Sequence, residues 1–333
     1  MRAMMLPSAG PIESSPLQLA DWPIPTPGAD EVRLKVRCCA ICRTDLHIIE
    51  GDLPLTDLLP IIPGHQIVGL VDEVGSDCHR LKPGMRIGAA WLRRTCGVCR
   101  FCVTGRENLC LMSEYTGYHV PGGYAEYATV PESFAYELPE TFSDVEAAPL
   151  LCAGLIGYRA LKRANVPPDG TLAIFGFGSS AHLVIQLAVH RGNAVYVVSR
   201  NPSHQQLARQ LGAAWAGFDV GQMPSKADSA ILFAPVGSLV PTALEALDRG
   251  GTLSIAGIHM TPIPELDYDR YLFYERDIHP VTANTRRDAR ELLEEAGKIR
   301  VRPWTVTYPL EHANRALQDM KQGKIDGTGV LGM

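Results

Sequence analysis

An α/β fold in two domains follows from three features of the sequence: its length, a change of texture near residue 146, and a glycine-rich turn between a strand-like and a helix-like run. At 333 residues the chain exceeds what one hydrophobic core comfortably serves, so two domains are expected. With 46% hydrophobic and 20% charged residues, both cores can be buried.

Up to about residue 150 the chain is rich in Pro and Gly. Short apolar runs at 32–36, 67–71 and 124–130 are separated by turn signals such as Lys82-Pro83-Gly84 and Pro121-Gly122-Gly123. Close-spaced short strands predict a small barrel-like β domain. After Glu146 longer alternating units take over. Residues 171–175 read as a strand, 181–191 as a helix and 194–198 as a second strand, and Ser203 is placed to cap a helix ending near Gly212. A strand at 229–233, a helix near 241–247 and a strand at 252–256 continue the alternation, which implies a parallel sheet with right-handed crossovers. Beyond residue 284 a helix at 288–296 leads to short strands near Thr305 and Val330, placed to return to the first domain.

The net charge of −5 provides no electrostatic footprint for nucleic acid or an anionic membrane surface. Pro7, Gly10 and Pro11 interrupt any apolar leader at the N-terminus, and no membrane-length apolar run occurs, so a cytoplasmic protein is expected. Nine cysteines, concentrated between Cys38 and Cys152, favour metal ligation over a disulfide framework in an intracellular chain.

Three constellations carry chemistry. Cys96, Cys99, Cys102 and Cys110 lie close enough in sequence to close a tetrahedral Zn2+ site with no open position; an iron–sulfur cluster is the competing occupant. The turn Gly176-Phe177-Gly178-Ser179-Ser180-Ala181 matches G-x-G-x-x-A between a strand and a helix, a context that lets bare backbone approach a pyrophosphate. Where the next strand ends stand Ser199 and Arg200, at the place where an acidic residue would bind the ribose 2′-hydroxyl of NAD. A neutral Ser repels no 2′-phosphate and Arg can grip one, so NADP(H) is favoured over NAD(H). The third constellation is dispersed: Cys42 in Cys-Arg-Thr-Asp-Leu-His, His65 in Pro-Gly-His, and Cys152 in Leu-Leu-Cys-Ala-Gly supply the Cys/His mixture of a catalytic zinc. Each has a plain alternative as a packed or structural residue.

Taken together, the motifs CRTDLH, PGH, the four-cysteine lobe, GGYAEY, LLCAG, GFGSSA and a closing Gly323-Lys324-Ile325-Asp326-Gly327 segment resemble the zinc-dependent medium-chain alcohol dehydrogenases, especially short microbial and cinnamyl-alcohol-dehydrogenase-like members. The resemblance spans the chain. It implies a GroES-like β-barrel catalytic domain (1–150, with a structural zinc lobe at about 91–115), a Rossmann domain (151–284) and a C-terminal return to the catalytic domain (285–333), with the active site in the cleft between the domains. It further implies Cys42, His65 and Cys152 as ligands of a catalytic zinc, and two Zn2+ per chain.

By the same resemblance Thr44 would accept the substrate hydroxyl's proton, and His47 would pass it to solvent. Asp45 would fix the His65 tautomer, and Arg43 would touch the cofactor pyrophosphate. Arg286 matches a family arginine near the cofactor. Trp91, Tyr115 and Leu155 are candidates to line the substrate cleft. Two residues depart from the family pattern: Gln66 stands where Glu is usual, and Thr328 where many relatives carry Arg.

The implied reaction is hydride transfer between NADP(H) or NAD(H) and an alcohol and its aldehyde or ketone, in a homodimer or homotetramer. A zinc-free quinone or enoyl reductase on the same scaffold would need none of the metal ligands, and a cofactor-sensing module would not need Thr44 and His47.

Overall fold

The computed structural model describes residues 1–54 and 58–333. The chain divides into two compact units, Met1–Cys152 with Ala283–Lys298 and Pro303–Met333, and Ala153–Thr282 with Ile299–Arg302.

The first unit is organised on the strand Glu31–Ala40, whose alternation sends Val32, Leu34 and Val36 into the core and the intervening charged residues outward. It pairs antiparallel with Gln66–Val74, Tyr127–Pro131 and Thr328–Gly332. Along the sheet the order is Thr305–Pro309, Thr328–Gly332, Glu31–Ala40, Gln66–Val74, Arg86–Ala89, Ala135–Glu137. Ile67, Ile87, Leu317 and Leu331 fill the interior with no exposure. Truncating one such aliphatic to Ala costs about 2–5 kcal/mol. Cys38 and Cys39 belong to this packing, and burial pushes the Cys38 thiol up to about 12, which leaves it inert.

The second unit holds a six-stranded parallel sheet in the order Trp215–Gly217, Ala194–Val198, Thr171–Phe175, Ala227–Leu232, Leu247–Ile255, Asp277–Pro280. Strand order reverses between Thr171–Phe175 and Ala227–Leu232, the switch point at which doubly wound sheets open a crevice. The glycine-rich turn leaves the first of these two strands and leads into the helix Ser179–His190.

Several elements differ from the sequence reading. Asn201, not Ser203, caps the helix Pro202–Gln210; its side-chain oxygen accepts from Ser203 N at 3.0 Å. Pro202 explains the shift, because a residue without an N–H and with fixed φ suits the first helical position. The helix placed near 241–247 is Leu239–Ala246, and Leu247 already opens the next strand, because its buried side chain continues the sheet's apolar face. In the first unit, residues 122–124 run along 62–64, and the strand begins only at Tyr127. Among the described residues no helix is long and apolar enough to cross a membrane.

Candidate active site and metal centres

Cys42 ends the extended segment that follows Glu31–Ala40 and caps the helix Arg43–Glu50. The helix carries no long amphipathic period in the sequence, and it exists because its first turn is a capping box. Cys42 Sγ accepts from Thr44 N at 3.3 Å, and the Asp45 carboxylate accepts from Cys42 N at 2.8 Å. Leu46, Ile48 and Ile49 then anchor it in the core, and Gly51 ends it.

His65 comes from a turn held by backbone hydrogen bonds. Gly122 N, Gly123 N and Tyr124 N donate to the carbonyls of Ile62, Gly64 and Pro63 at 2.7, 2.8 and 3.0 Å. Gly64 has φ of +98°, and a Cβ there would lie 2.4 Å from the Tyr124 ring, so the position admits only glycine. Cys152 arrives at the end of a one-turn helix, Ala148–Leu151.

The ligand atoms of Cys42, His65 and Cys152 all lie within 4.8 Å of one another. His65 Nε2 is 3.2 Å from Cys42 Sγ, and His65 Nδ1 is 2.9 Å from Asp45 Oδ1. His65 and Asp45 have no exposure, while both cysteines are partly covered. Burial works against charge on Cys42, but Cys152, the His65 ring and Thr44 outweigh it and hold this thiol well below the ordinary range. The hydrogen bond to Cys42, with burial, pushes Cys152 up. Burial also opposes charge on His65, yet Asp45 and Cys42 raise it to about 10. Two soft sulfurs and one oriented imidazole, with a carboxylate behind the ring, are a donor set that fits Zn2+ with a position left open.

Around the trio, Thr44 is buried, Arg43 is exposed on the first helical turn, and His47 lies one turn on with Nδ1 2.7 Å from Asp52 Oδ2. Trp91 meets the His65 ring edge-on at 5.0 Å and stacks on Tyr115 at 4.8 Å, while Tyr118 and His119 extend this aromatic wall. Gln66, directly after His65, is fully buried. Leu155 is also fully buried, in the helix Ala153–Ala164.

Cys96, Cys99, Cys102 and Cys110 form a second cluster, with sulfurs likewise within 4.8 Å. Backbone N–H groups of Cys96, Cys99 and Met112 point at these sulfurs at 3.4 Å. The N–H groups of Val98 and Cys99 lower the Cys96 thiol to about 6, favouring the thiolate a metal needs. The lobe is anchored by Arg93, which is 3% exposed, bonds Glu31 at 2.6 Å and reaches the carbonyl and hydroxyl oxygens of Thr129.

In the second unit Gly176 has φ of +86° and packs on Ala234, and a Cβ at Gly178 would meet nothing within 4 Å. This open backbone at the start of Ser179–His190 can admit a phosphate at a helix N-terminus. Ala181 is buried in the same helix. Ser199 directly follows the strand Ala194–Val198 and is 9% exposed; its hydroxyl accepts from Asn201 N at 3.3 Å. Arg200 is exposed and forms no ion pair among the described residues. Arg286 joins neither metal cluster. Its N and Nε donate to Glu107 at 3.0 and 3.4 Å and its guanidinium lies over Phe134 at 4.8 Å, all within the first unit. Thr328 is buried in its strand, where its N–H donates to Trp304 O at 2.9 Å.

The model of the alcohol dehydrogenase GroES-like domain matches residues 28–140, and that of zinc-binding dehydrogenases matches residues 181–298. A probable alcohol dehydrogenase, AdhA, of Mycobacterium tuberculosis is 49% identical, the match covering 99% of this chain and 97% of that protein. The chain belongs to the zinc-type medium-chain alcohol dehydrogenase family. It is therefore an oxidoreductase built from a GroES-like and a Rossmann-like domain. Among solved structures, a cinnamyl alcohol dehydrogenase of Sorghum bicolor superposes with a TM-score of 0.90 at 26% identity, covering 99% and 97% of the two chains. A thermostable alcohol dehydrogenase of Pyrobaculum aerophilum with bound cobalt and zinc has a TM-score of 0.91 at 25% identity, covering 100% and 99%.

Asp52 and Tyr124 went unrecognised in the sequence as neighbours of the site. A Gly-Asp pair closing a helix that bears His47 is a usable local signal for the first; nothing local signals the second.

Proposed function

We propose that this enzyme interconverts an alcohol and its aldehyde or ketone with NADP(H) in preference to NAD(H), holding one Zn2+ on Cys42, His65 and Cys152 and a second on Cys96, Cys99, Cys102 and Cys110. The observation that carries this reading is the convergence of the three donors within 4.8 Å, with Asp45 behind the buried His65 ring. A metal-bearing relative of the same architecture supports it. When bound, Zn2+ supplies Lewis acidity and the nicotinamide exchanges the hydride.

The chain's own residues do the rest. Asp45 accepts from His65 Nδ1, which turns Nε2 toward the metal position. Thr44, both donor and acceptor, takes the proton leaving the substrate hydroxyl, and His47, whose ring nitrogens can accept and donate, hands it outward. Arg43 and the turn Gly176–Gly178 serve the pyrophosphate, and Arg200 beside uncharged Ser199 grips a 2′-phosphate. The aromatic wall from Trp91 to His119 limits water and favours apolar substrates. A homo-oligomer of two or four chains accords with the family.

The test is initial rates with NADPH and NADH against short, long-chain and aromatic aldehydes, with metal content measured on the same sample. Two metal equivalents and faster NADPH turnover are expected, and Arg200→Ala should raise the KM for NADPH about tenfold or more, the scale of one charge-assisted phosphate contact. NADH outperforming NADPH tenfold would refute the cofactor preference; turnover undiminished after complete metal removal would refute the zinc reading.

A further inference from the structure

The helix Arg286–Ile299 lies along Ala135–Glu137, the strand at one end of the first unit's sheet. It is pinned there at two points. Near its start the Arg286 guanidinium sits over Phe134 at 4.8 Å, while Arg286 N and Nε donate to Glu107. Near its end Gly297 meets Pro139, and a Cβ added at Gly297 would stand 3.2 Å from the proline Cβ, so the helix backbone itself makes the contact. Extended chain from 134 to 139 spans about 17 Å, and helix from 286 to 297 spans about the same. The two pins therefore match in length and keep the segment between them from closing up.

Between the pins lies a cavity of about 520 Å3, open to solvent and walled by Ala135, Leu138 and Pro139 on one side and Leu293 on the other. Protein interiors are otherwise close-packed, and this volume falls within the range of small-molecule sites. The charges around it are unevenly matched. Arg80 donates to Glu137 at 3.1 Å and to the carbonyls of Glu132 and Ala135, which fixes the guanidinium while using three of its five N–H groups. Glu294 accepts from Lys298 at 2.6 Å. With both carboxylates matched, the remaining charge is Arg290, whose guanidinium forms no hydrogen bond or ion pair among the described residues. One negative head on an aliphatic body complements this arrangement. A doubly charged phosphate fits it less well, because Glu137 and Glu294 also line the cavity.

We propose that this cavity binds a medium-chain aliphatic carboxylate, with its head on Arg290 and the unused N–H groups of Arg80 and its chain against Leu138 and Leu293. The site uses none of the metal donors and does not rest on their assignment.

The experiment titrates sodium octanoate into the full-length zinc-loaded protein by calorimetry, in wild type, Arg290→Gln and Leu293→Trp, with octylammonium as the probe of opposite charge. Wild type should bind one octanoate with a Kd of about 1 mM or tighter. Arg290→Gln should weaken this about tenfold, the scale of one charge-assisted hydrogen bond, and Leu293→Trp should abolish it by filling the cavity. Both variants should retain wild-type alcohol turnover, and octylammonium should bind at least about tenfold more weakly than octanoate. No binding at about 10 mM octanoate overturns the proposal. Octanoate binding undiminished in Arg290→Gln overturns it too, since the carboxylate would then sit elsewhere, and equal binding of octylammonium overturns the assigned charge. Arg290 is exposed, so its substitution leaves the core packing intact and decides the question should Leu293→Trp fail to fold.

Discussion

Acid should destabilise the nucleotide-binding unit through one histidine. His182 lies in the first turn of Ser179–His190, is fully buried, and is lowered by that burial from 6.5 to about 4, although the carbonyl of Gly178 and the backbone at Ser179 oppose the shift. Its place near a helix N-terminus also disfavours a cation. Because the folded value lies below the unfolded one, the native state is unpenalised above pH 6.5 and loses stability as the pH falls from 6.5 toward 4, where only the unfolded chain takes up the proton. At 1.36 kcal/mol per pH unit, the full span is worth about 3 kcal/mol, and about 2 kcal/mol is already lost at pH 5.

His182→Leu removes the titration while keeping an apolar filling. Urea unfolding of both proteins at pH 7.5 and 5 should show the variant gaining about 2 kcal/mol relative to wild type at the lower pH. Direct titration of the His182 ring by NMR provides a second reading. A wild-type-minus-variant difference that is the same at both pH values, or a ring that titrates above pH 6, would refute the reasoning.

Two further outcomes follow from buried polar groups. Arg93→Ala leaves the Glu31 carboxylate to Arg94 and Gly28 N and takes a buried donor from the Thr129 hydroxyl, so thermal unfolding should report a loss of about 2 kcal/mol. A melting curve equal to wild type would show the network to be dispensable. Gln66→Glu places an ionisable group with no exposure directly after His65 and should change kcat and zinc exchange rate together, as measured by steady-state kinetics and chelator-driven release. No change in either would remove Gln66 from the account.

Much of the fold was legible because it rests on local periodicity. The alternation in 32–36, the apolar run at 171–175 and the Gly176–Gly178 turn each report their own element, and the observed strand Ala194–Val198 has the limits its pattern implies. Element ends were less legible where chemistry competes: Asn201 outranked Ser203 as a cap because Pro202 stood between them. The helix Arg43–Glu50 escaped notice because eight residues are too few for a period and its start depends on a Cys–Asp capping box.

The sequence by itself determined which residue types were on hand for metal and phosphate chemistry, since cysteine spacing and a glycine turn are short-range facts. Only the tertiary structure decided which of them meet. Cys42, His65 and Cys152 come from separate segments of the chain, and their sulfurs and imidazole converge because sheet register and the 62–64 and 122–124 pairing set their positions. The same packing committed Arg286 to Glu107 and Phe134, and it laid the Tyr124 ring against Gly64. Contacts between distant segments depend on how buried surfaces are shared out across the whole fold, and no local window of sequence contains that information.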